Sequence, residues 1–178
     1  MEGVRARDPK ALAAFFERYF DRLYGLIHRL VGERALAEDV TQDVFLKVHR
    51  AADRIDSGRD PFPWLVTIAH NACRDVWRSS AYRLTQRAAS IDGPIGASLS
   101  RGINDPEHDA LASERERLVQ AAIAGLPEPL RVAVLLHDYE GLGHEEVAVI
   151  TGVRHAAARK RYSRALATLA RLLEGKLS

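Results

Sequence analysis

Five cations, Arg154, Arg159, Lys160, Arg161 and Arg164, stand close together near the C-terminus, and no carboxylate intervenes between Glu146 and Glu174. Tyr162, Leu166, Leu169 and Leu173 fall on the other side of the same helical repeat. A helix that is basic on one side and apolar on the other suits the DNA major groove, with cations for phosphates and long side chains for base edges. A run of charge is more often a solvated face. Here the charge is of one sign and follows a turn of the right length, which favours DNA. A membrane surface fits poorly, because the alanine-rich apolar side has few bulky anchors. Two further stretches carry chemistry. Trp64 to Arg78 (W-L-V-T-I-A-H-N-A-C-R-D-V-W-R) mixes aromatics with His, Asn and Arg, as a nucleic-acid-binding helix does. Leu36 to Arg50 (L-A-E-D-V-T-Q-D-V-F-L-K-V-H-R) is an acidic amphipathic helix suited to a protein partner.

Catalytic and metal chemistry find little support. His70 and Cys73 have the spacing of a metal pair, yet nothing completes the set. His144-Glu145-Glu146 begins like a zinc-protease motif, but position 148 is Ala, so the second histidine is missing. There is no phosphate loop and no nucleophile–base arrangement. An enzyme is therefore the weakest reading, and neither cofactor nor metal is expected. Trp64, Trp77 and Cys73 read as packing residues.

The elements that position these residues follow from apolar periodicity. In Leu12, Phe15, Phe16, Tyr19, Phe20, Leu23, Leu26, Ile27, Leu30 and Val31, steps of three and four recur, predicting a long helix that starts at Asp8-Pro9 and ends at Gly32. A second helix from about Ala35 turns Leu36, Val40, Val44, Phe45 and Val48 inward. After a loop over Asp53 to Pro63, a third presents Trp64, Leu65, Ile68, Ala72, Val76 and Trp77. From Ser79 the pattern dissolves into Ser, Gly and Pro, which predicts a flexible linker. Helical signal resumes near Asp109 with Leu111, Leu118, Ala122 and Ile123 and stops at Gly125-Leu-Pro. Leu130, Val134, Leu135 and Tyr139 continue it. Two short helices broken at Gly152 then precede a long basic one, with Ala148 small at the corner and Val147, Ile150 and Val153 pinning it, as in a helix-turn-helix. The expected fold is all-α. Two small helical domains span 1–80 and 108–178, a linker spans 81–107, and the C-terminal domain holds the helix-turn-helix.

The chain has 178 residues, 47% of them hydrophobic, and a formal net charge of +2 that names no partner by itself. Its single cysteine, Cys73, excludes an intramolecular disulfide and fits a reducing cytosol. No apolar run is long enough for a membrane span, and the N-terminus has no signal-peptide core. A soluble cytoplasmic protein without membrane insertion is expected.

Taken in order, these segments resemble the extracytoplasmic-function group of bacterial sigma factors in the sigma-70 family. A-E-D-V-T-Q-D-V-F-L-K-V-H-R is similar to the family's core-polymerase-binding helix. P-F-P-W-L-V-T-I-A-H-N-A-C-R-D-V-W-R is similar to its −10-element helix, and G-L-P-E-P-L-R-V-A-V-L-L-H-D-Y-E-G-L-G-H-E-E-V-A to the opening of its −35-reading domain. The resemblance implies a transcription initiation factor with three kinds of partner. These are core RNA polymerase (the coiled coil of the largest subunit and the flap of the second-largest), promoter DNA, and an anti-sigma factor. It assigns polymerase contact to Glu38, Asp39, Gln42, Asp43, Phe45 and Leu46. It places Arg59 and Phe62 at the lip of a pocket for a flipped base, Asn71 on a base edge, and His70, Arg74 and Arg78 on phosphates. It puts His155, Arg159, Lys160, Arg161, Ser163 and Arg164 at the −35 element. Unstacking costs a few kcal/mol per base, and captured bases and phosphate contacts offset it without ATP.

The chain also departs from the family pattern. Gly143-His144 stand where Ser or Thr followed by an aromatic is usual, so the helix-capping hydroxyl is missing. Arg154, His155, Ala156, Ala157 and Ala158 replace the usual opening of the recognition helix. These changes motivate an alternative, a sigma-like decoy that titrates an anti-sigma regulator without initiating transcription. A free-standing operator-binding repressor is a third reading.

Overall fold

The structure is a computed structural model and describes residues 1–79, 114–174 and 176. Every regular element among these residues is helical. A first short helix, α1 (Glu2–Arg5), packs on α2 (Pro9–Val31), which begins where the sequence predicts. Asp8 caps it, its Oδ2 accepting the Ala11 N–H at 2.8 Å, with Pro9 in the first turn. Gly32 closes it in the left-handed region (φ 77°), which a side chain rarely adopts.

The antiparallel return, α3 (Arg34–Arg50), buries Ala37, Val40, Thr41, Val44 and Val48 against α2. A 3-10 turn (Ala52–Arg54) and a loop lead to α4 (Phe62–Arg78). The loop is held by its own aspartates: Asp56 Oδ1 accepts from Gly58 N at 2.9 Å and Asp60 Oδ1 from Phe62 N at 3.0 Å. Leu23, Leu26, Ile27, Leu30, Val44, Leu65 and Val66 form the centre of this three-helix core, each fully buried. Truncating one of them, Leu30→Ala for instance, should cost about 2–5 kcal/mol. The α2 stripe is wider than one buried face, so Phe20 is left 44% exposed, contrary to its predicted inward position. It stacks on Tyr24 and Phe45 instead.

The second half starts with α5 (Glu114–Ala124), stopped at Gly125-Leu126-Pro127, and α6 (Glu128–Val134). Arg131 turns inward and its Nη1 donates to the Ala124 carbonyl at 2.9 Å, satisfying the C-terminus of α5. A π-helical turn (Leu135–Tyr139) widens the end of α6 before Gly141 (φ 70°) reverses the chain. Two short helices broken at Gly152 were expected before the long basic one; there is a single short helix, α7 (His144–Thr151), and the long helix follows Gly152 directly. Gly152 has open space around a notional Cβ, so its φ of 68° is what demands glycine. Val153 N then donates to Ala148 O at 3.0 Å and α8 (His155–Leu173) begins. Leu166 proves 42% exposed, and Ala165 takes the inward place predicted for it. The small Ala148, Ala158 and Ala165 are all buried, allowing close approach of α7 and α8.

The two halves touch. The helix α4 packs against α7, and α2 packs against α6 and its π turn. The predicted linker 81–107 and Leu111 lie outside the described residues. Among those described, no helix is long and apolar enough to cross a membrane.

Candidate nucleic-acid interface

On α8 the helical repeat separates the cations. Arg159, Lys160, Ser163 and Arg164 are exposed along one side, while Ala158, Ala165 and Leu169 are buried on the other. This side offers long donors to an anion and carries no carboxylate. His155, exposed at the first turn, sits four residues before Arg159 and so on the same side. Arg161 does not join this row. It is half-buried and near enough to His70 in the other half to disfavour protonation there.

On α4, Asn71, Arg74 and Arg78 share the side away from the core. Asn71 is half-buried and Arg78 exposed, while the Arg74 Nε is buried without a hydrogen-bond partner. His70 lies at the margin of the packed face, 4% exposed. Burial first, then the neighbouring Arg74 and Arg161 guanidinium groups, lower its pKa to about 4, so the ring is neutral. Its Nδ1 and the Trp77 Nε1 are also buried without partners, the two rings meeting edge to face at 6.3 Å. Arg59 is on the exposed loop, 3.4 Å from Asp56. Phe62 is placed differently from its expected role at the pocket lip. The ring is 1% exposed, covered at 3.5 Å by the Arg22 guanidinium and stacked on Tyr19, so it has no free face for a base.

On α3, Glu38, Asp39, Gln42, Asp43 and Leu46 are exposed along one side. Leu46 is 55% exposed, an apolar tip beside carboxylates. Glu38 is partly occupied by Arg34 at 3.1 Å, a surface pair of small energetic weight. Phe45 is half-buried between Phe16 (4.8 Å) and Phe20 (5.7 Å). The packing residues behave as read: Trp77 and Cys73 are buried, and desolvation raises the Cys73 thiol to about 12, leaving it unreactive.

Sequence reasoning missed the contact between the halves. Arg22 reaches from α2 to Glu140, and Arg29 lies over the Tyr139 ring at 5.0 Å. Between them is a cleft of about 380 Å³ lined by Tyr24, His28, Arg29, Ile123, Leu135 and Tyr139. Charged residues on apolar helical stripes were the only sequence signal, and such residues are usually solvated.

Two helical modules, one presenting acids and a polar helix and the other a helix-turn-helix, define the architecture of a promoter-recognition factor. Residues 15–87 match the family Sigma-70 region 2, and residues 116–169 match Sigma-70, region 4. The RNA polymerase sigma factor CarQ of Myxococcus xanthus is 35% identical over 97% of this chain and 95% of its own length. The ECF RNA polymerase sigma-E factor of Haemophilus influenzae is 32% identical over 93% of this chain and 88% of its own. The sigma factor RpoE, solved in complex with the anti-sigma factor NepR from Bartonella quintana, shares the fold. Its TM-score is 0.74 at 23% identity, covering 93% of this chain and 98% of that one. The chain belongs to the extracytoplasmic-function sigma factors of the sigma-70 family.

Proposed function

We propose that this sigma factor joins core RNA polymerase through the acidic side of α3, opens the −10 element with α4, and holds the −35 element with α8. Residues 1–80 form the first module, 81–107 connect it, and 108–178 form the second. Glu38, Asp39, Gln42 and Asp43 meet a basic coiled coil of the largest subunit, with Leu46 and the edge of Phe45 adding apolar contact. The second module seats on the flap of the second-largest subunit. Asn71 reads a base with its paired donor and acceptor, while Arg59, Arg74 and Arg78 hold the strand around it. The chain supplies binding energy and no covalent step, and works in the cytoplasm beside the polymerase.

The observation that carries this reading is the carboxylate-free row Arg159, Lys160, Ser163 and Arg164 on the second helix of a helix-turn-helix. It favours a working promoter factor over a decoy, because titrating a regulator requires no phosphate-binding side. For α4 to reach DNA the two halves must part. The buried, unpartnered nitrogens of His70, Arg74 and Trp77 make that contact easy to give up, each costing about 1–3 kcal/mol while covered. An anti-sigma factor fits the cleft between the halves and the exposed Phe20. The test is run-off transcription with core polymerase lacking its own specificity subunit. Initiation at a discrete set of promoters supports the reading. Association with core but no initiation anywhere in a genome-wide screen would favour the decoy.

A further inference from the structure

A cluster of imidazoles lies beside the phosphate-facing row, and His155 alone among them has a part in the reading above. His144, the first residue of α7, stacks face to face on His137 from the π turn, with ring centres 4.2 Å apart at 19°. His155, the first residue of α8, lies 6.5 Å from His144. Tyr162 closes the far side, edge-on to His137 at 4.6 Å, and its hydroxyl donates to Asp138 Oδ1 at 2.8 Å. His137 Nδ1 is engaged by the Leu142 carbonyl at 2.7 Å, which fixes its tautomer. Stacked rings aim their nitrogens side by side rather than at a common point, and no metal-holding group occurs among the described residues.

The charges around the cluster are known from each side. The π turn contributes His137 and Asp138, and α8 contributes His155 and Arg159. On α7 itself, Glu146 is turned away to accept the Gly143 N–H at 2.8 Å, and it borders Arg59 and Asp60 of the loop before α4. Arg159 is the permanent cation beside the cluster and Asp138 the near carboxylate, while Glu145 and Glu146 occupy the first turn of α7. Slight desolvation, then His137, Arg159 and His155, hold His144 below the usual imidazole value. A bare cluster of this kind resists its own protonation, and an anion brought against it reverses that preference.

We propose that His144 and His155, backed by His137, form a contact for a backbone phosphate of duplex DNA, so that binding of the upstream duplex takes up a proton. The inference rests on the assignment of α8 as the DNA-contacting helix. His155 opens α8, whose first turn holds no carboxylate, so main-chain N–H groups there also favour an anion, and Arg159 supplies the permanent charge beside both rings. The neutral rings add little to binding, and the protonated ones add a charge-assisted contact and a released counterion.

The test uses the full chain and a short fluorescein-labelled duplex of mixed sequence, followed by anisotropy from about pH 8 to about pH 6, the range in which imidazole titrates. Uptake of one proton predicts affinity rising up to about tenfold per pH unit. In His144→Gln this pH slope should flatten, while affinity at the alkaline end stays within about twofold. As an independent measure, the ring C2–H resonance of His144 should titrate at higher pH with duplex present than without it. An unchanged pH slope in His144→Gln, or no shift of its resonance in the native chain, overturns the proposal. If Arg159→Ala/Arg164→Ala still weakens binding in that case, the assignment of α8 survives alone. If the duplex fails to bind at any pH, both fall together.

Discussion

Arg22 and Glu140 stand 118 residues apart in sequence, and their side chains join the two halves of the molecule. The Arg22 Nε donates to Glu140 Oε2 at 2.8 Å and its Nη2 to the Glu140 carbonyl at 2.9 Å, while the guanidinium plane covers Phe62. The carboxylate side chain is 4% exposed and the arginine 47%. Because Arg22 is half in water, it can be rehydrated when its partner is removed, so the full penalty of a buried orphan charge does not apply. Glu140→Ala should therefore cost only about 1–2 kcal/mol in chemical unfolding. It should also enlarge the radius of gyration seen by small-angle X-ray scattering, as the halves separate. A variant with unaltered radius and stability would show that the clasp does not hold the halves together.

His70 makes the same contact sensitive to acid. Its folded-state pKa of about 4 lies below the ordinary value of 6.5, so the fold requires the neutral ring. Its contribution is complete above about pH 6.5 and is lost progressively as pH falls toward 4, since the unfolded chain takes the proton first. The shift corresponds to an upper figure of about 3 kcal/mol. Unfolding free energies measured across this range should drop for the native chain, and His70→Gln should remove most of that slope. Equal slopes would place the acid sensitivity elsewhere.

Asn71 faces away from the core and is only half-buried, so replacing it should leave the domain folded. Asn71→Ala is expected to reduce strand opening at the −10 element about tenfold, as loss of a paired hydrogen-bond contact to a base does. Permanganate footprinting reads the opening and gel filtration with core polymerase reads assembly. Loss of assembly instead would mean that α4 serves the polymerase rather than the promoter.

Arg159→Ala with Arg164→Ala removes two cations from one exposed row. The slope of log affinity against log salt should shrink by about 1.8, from two fewer counterions displaced. Duplex titrations over a range of potassium chloride measure it directly. An unaltered slope would move the phosphate surface to another face of the molecule.

Much of this arrangement is legible in the sequence because it rests on local rules. Asp8-Pro9, Gly32 and Gly152 mark helix ends through caps and left-handed turns that only a few residue types supply, and the Pro127 of Gly125-Leu-Pro marks the start of the next helix. The basic row of α8 follows from periodicity alone. What periodicity cannot decide is which side of a wide stripe is covered. Phe20 and Leu166 keep the spacing of core residues yet face outward, while Phe62, beside two prolines in a loop-like stretch, is packed inside. The contact between halves is not local at all. Arg22 and Glu140 carry no mark that distinguishes them from solvated surface charges, and the imidazole cluster draws His137, His144 and His155 from three separate segments.

Gly143 shows how a missing side chain leaves half of a motif standing. Glu146 performs its part of a capping box, its Oε2 accepting the Gly143 N–H at 2.8 Å, but no hydroxyl returns the bond to the Glu146 N–H. The backbone at Gly143 has φ −65° and ψ 156°, which any residue adopts, and the nearest atom to an added Cβ is Glu146 Oε2 at 3.5 Å, an ordinary contact. A serine there meets no strain. It would also lose less backbone freedom on folding than glycine does. Gly143→Ser should therefore stabilise the chain by about 0.5–1 kcal/mol, raising the calorimetric midpoint by about 2 °C. The cap lies at the opposite end of α7 from the Gly152 turn, so the α8 row is undisturbed. A lowered midpoint would show that the N-terminus of α7 needs glycine for approach to a neighbour rather than tolerating it.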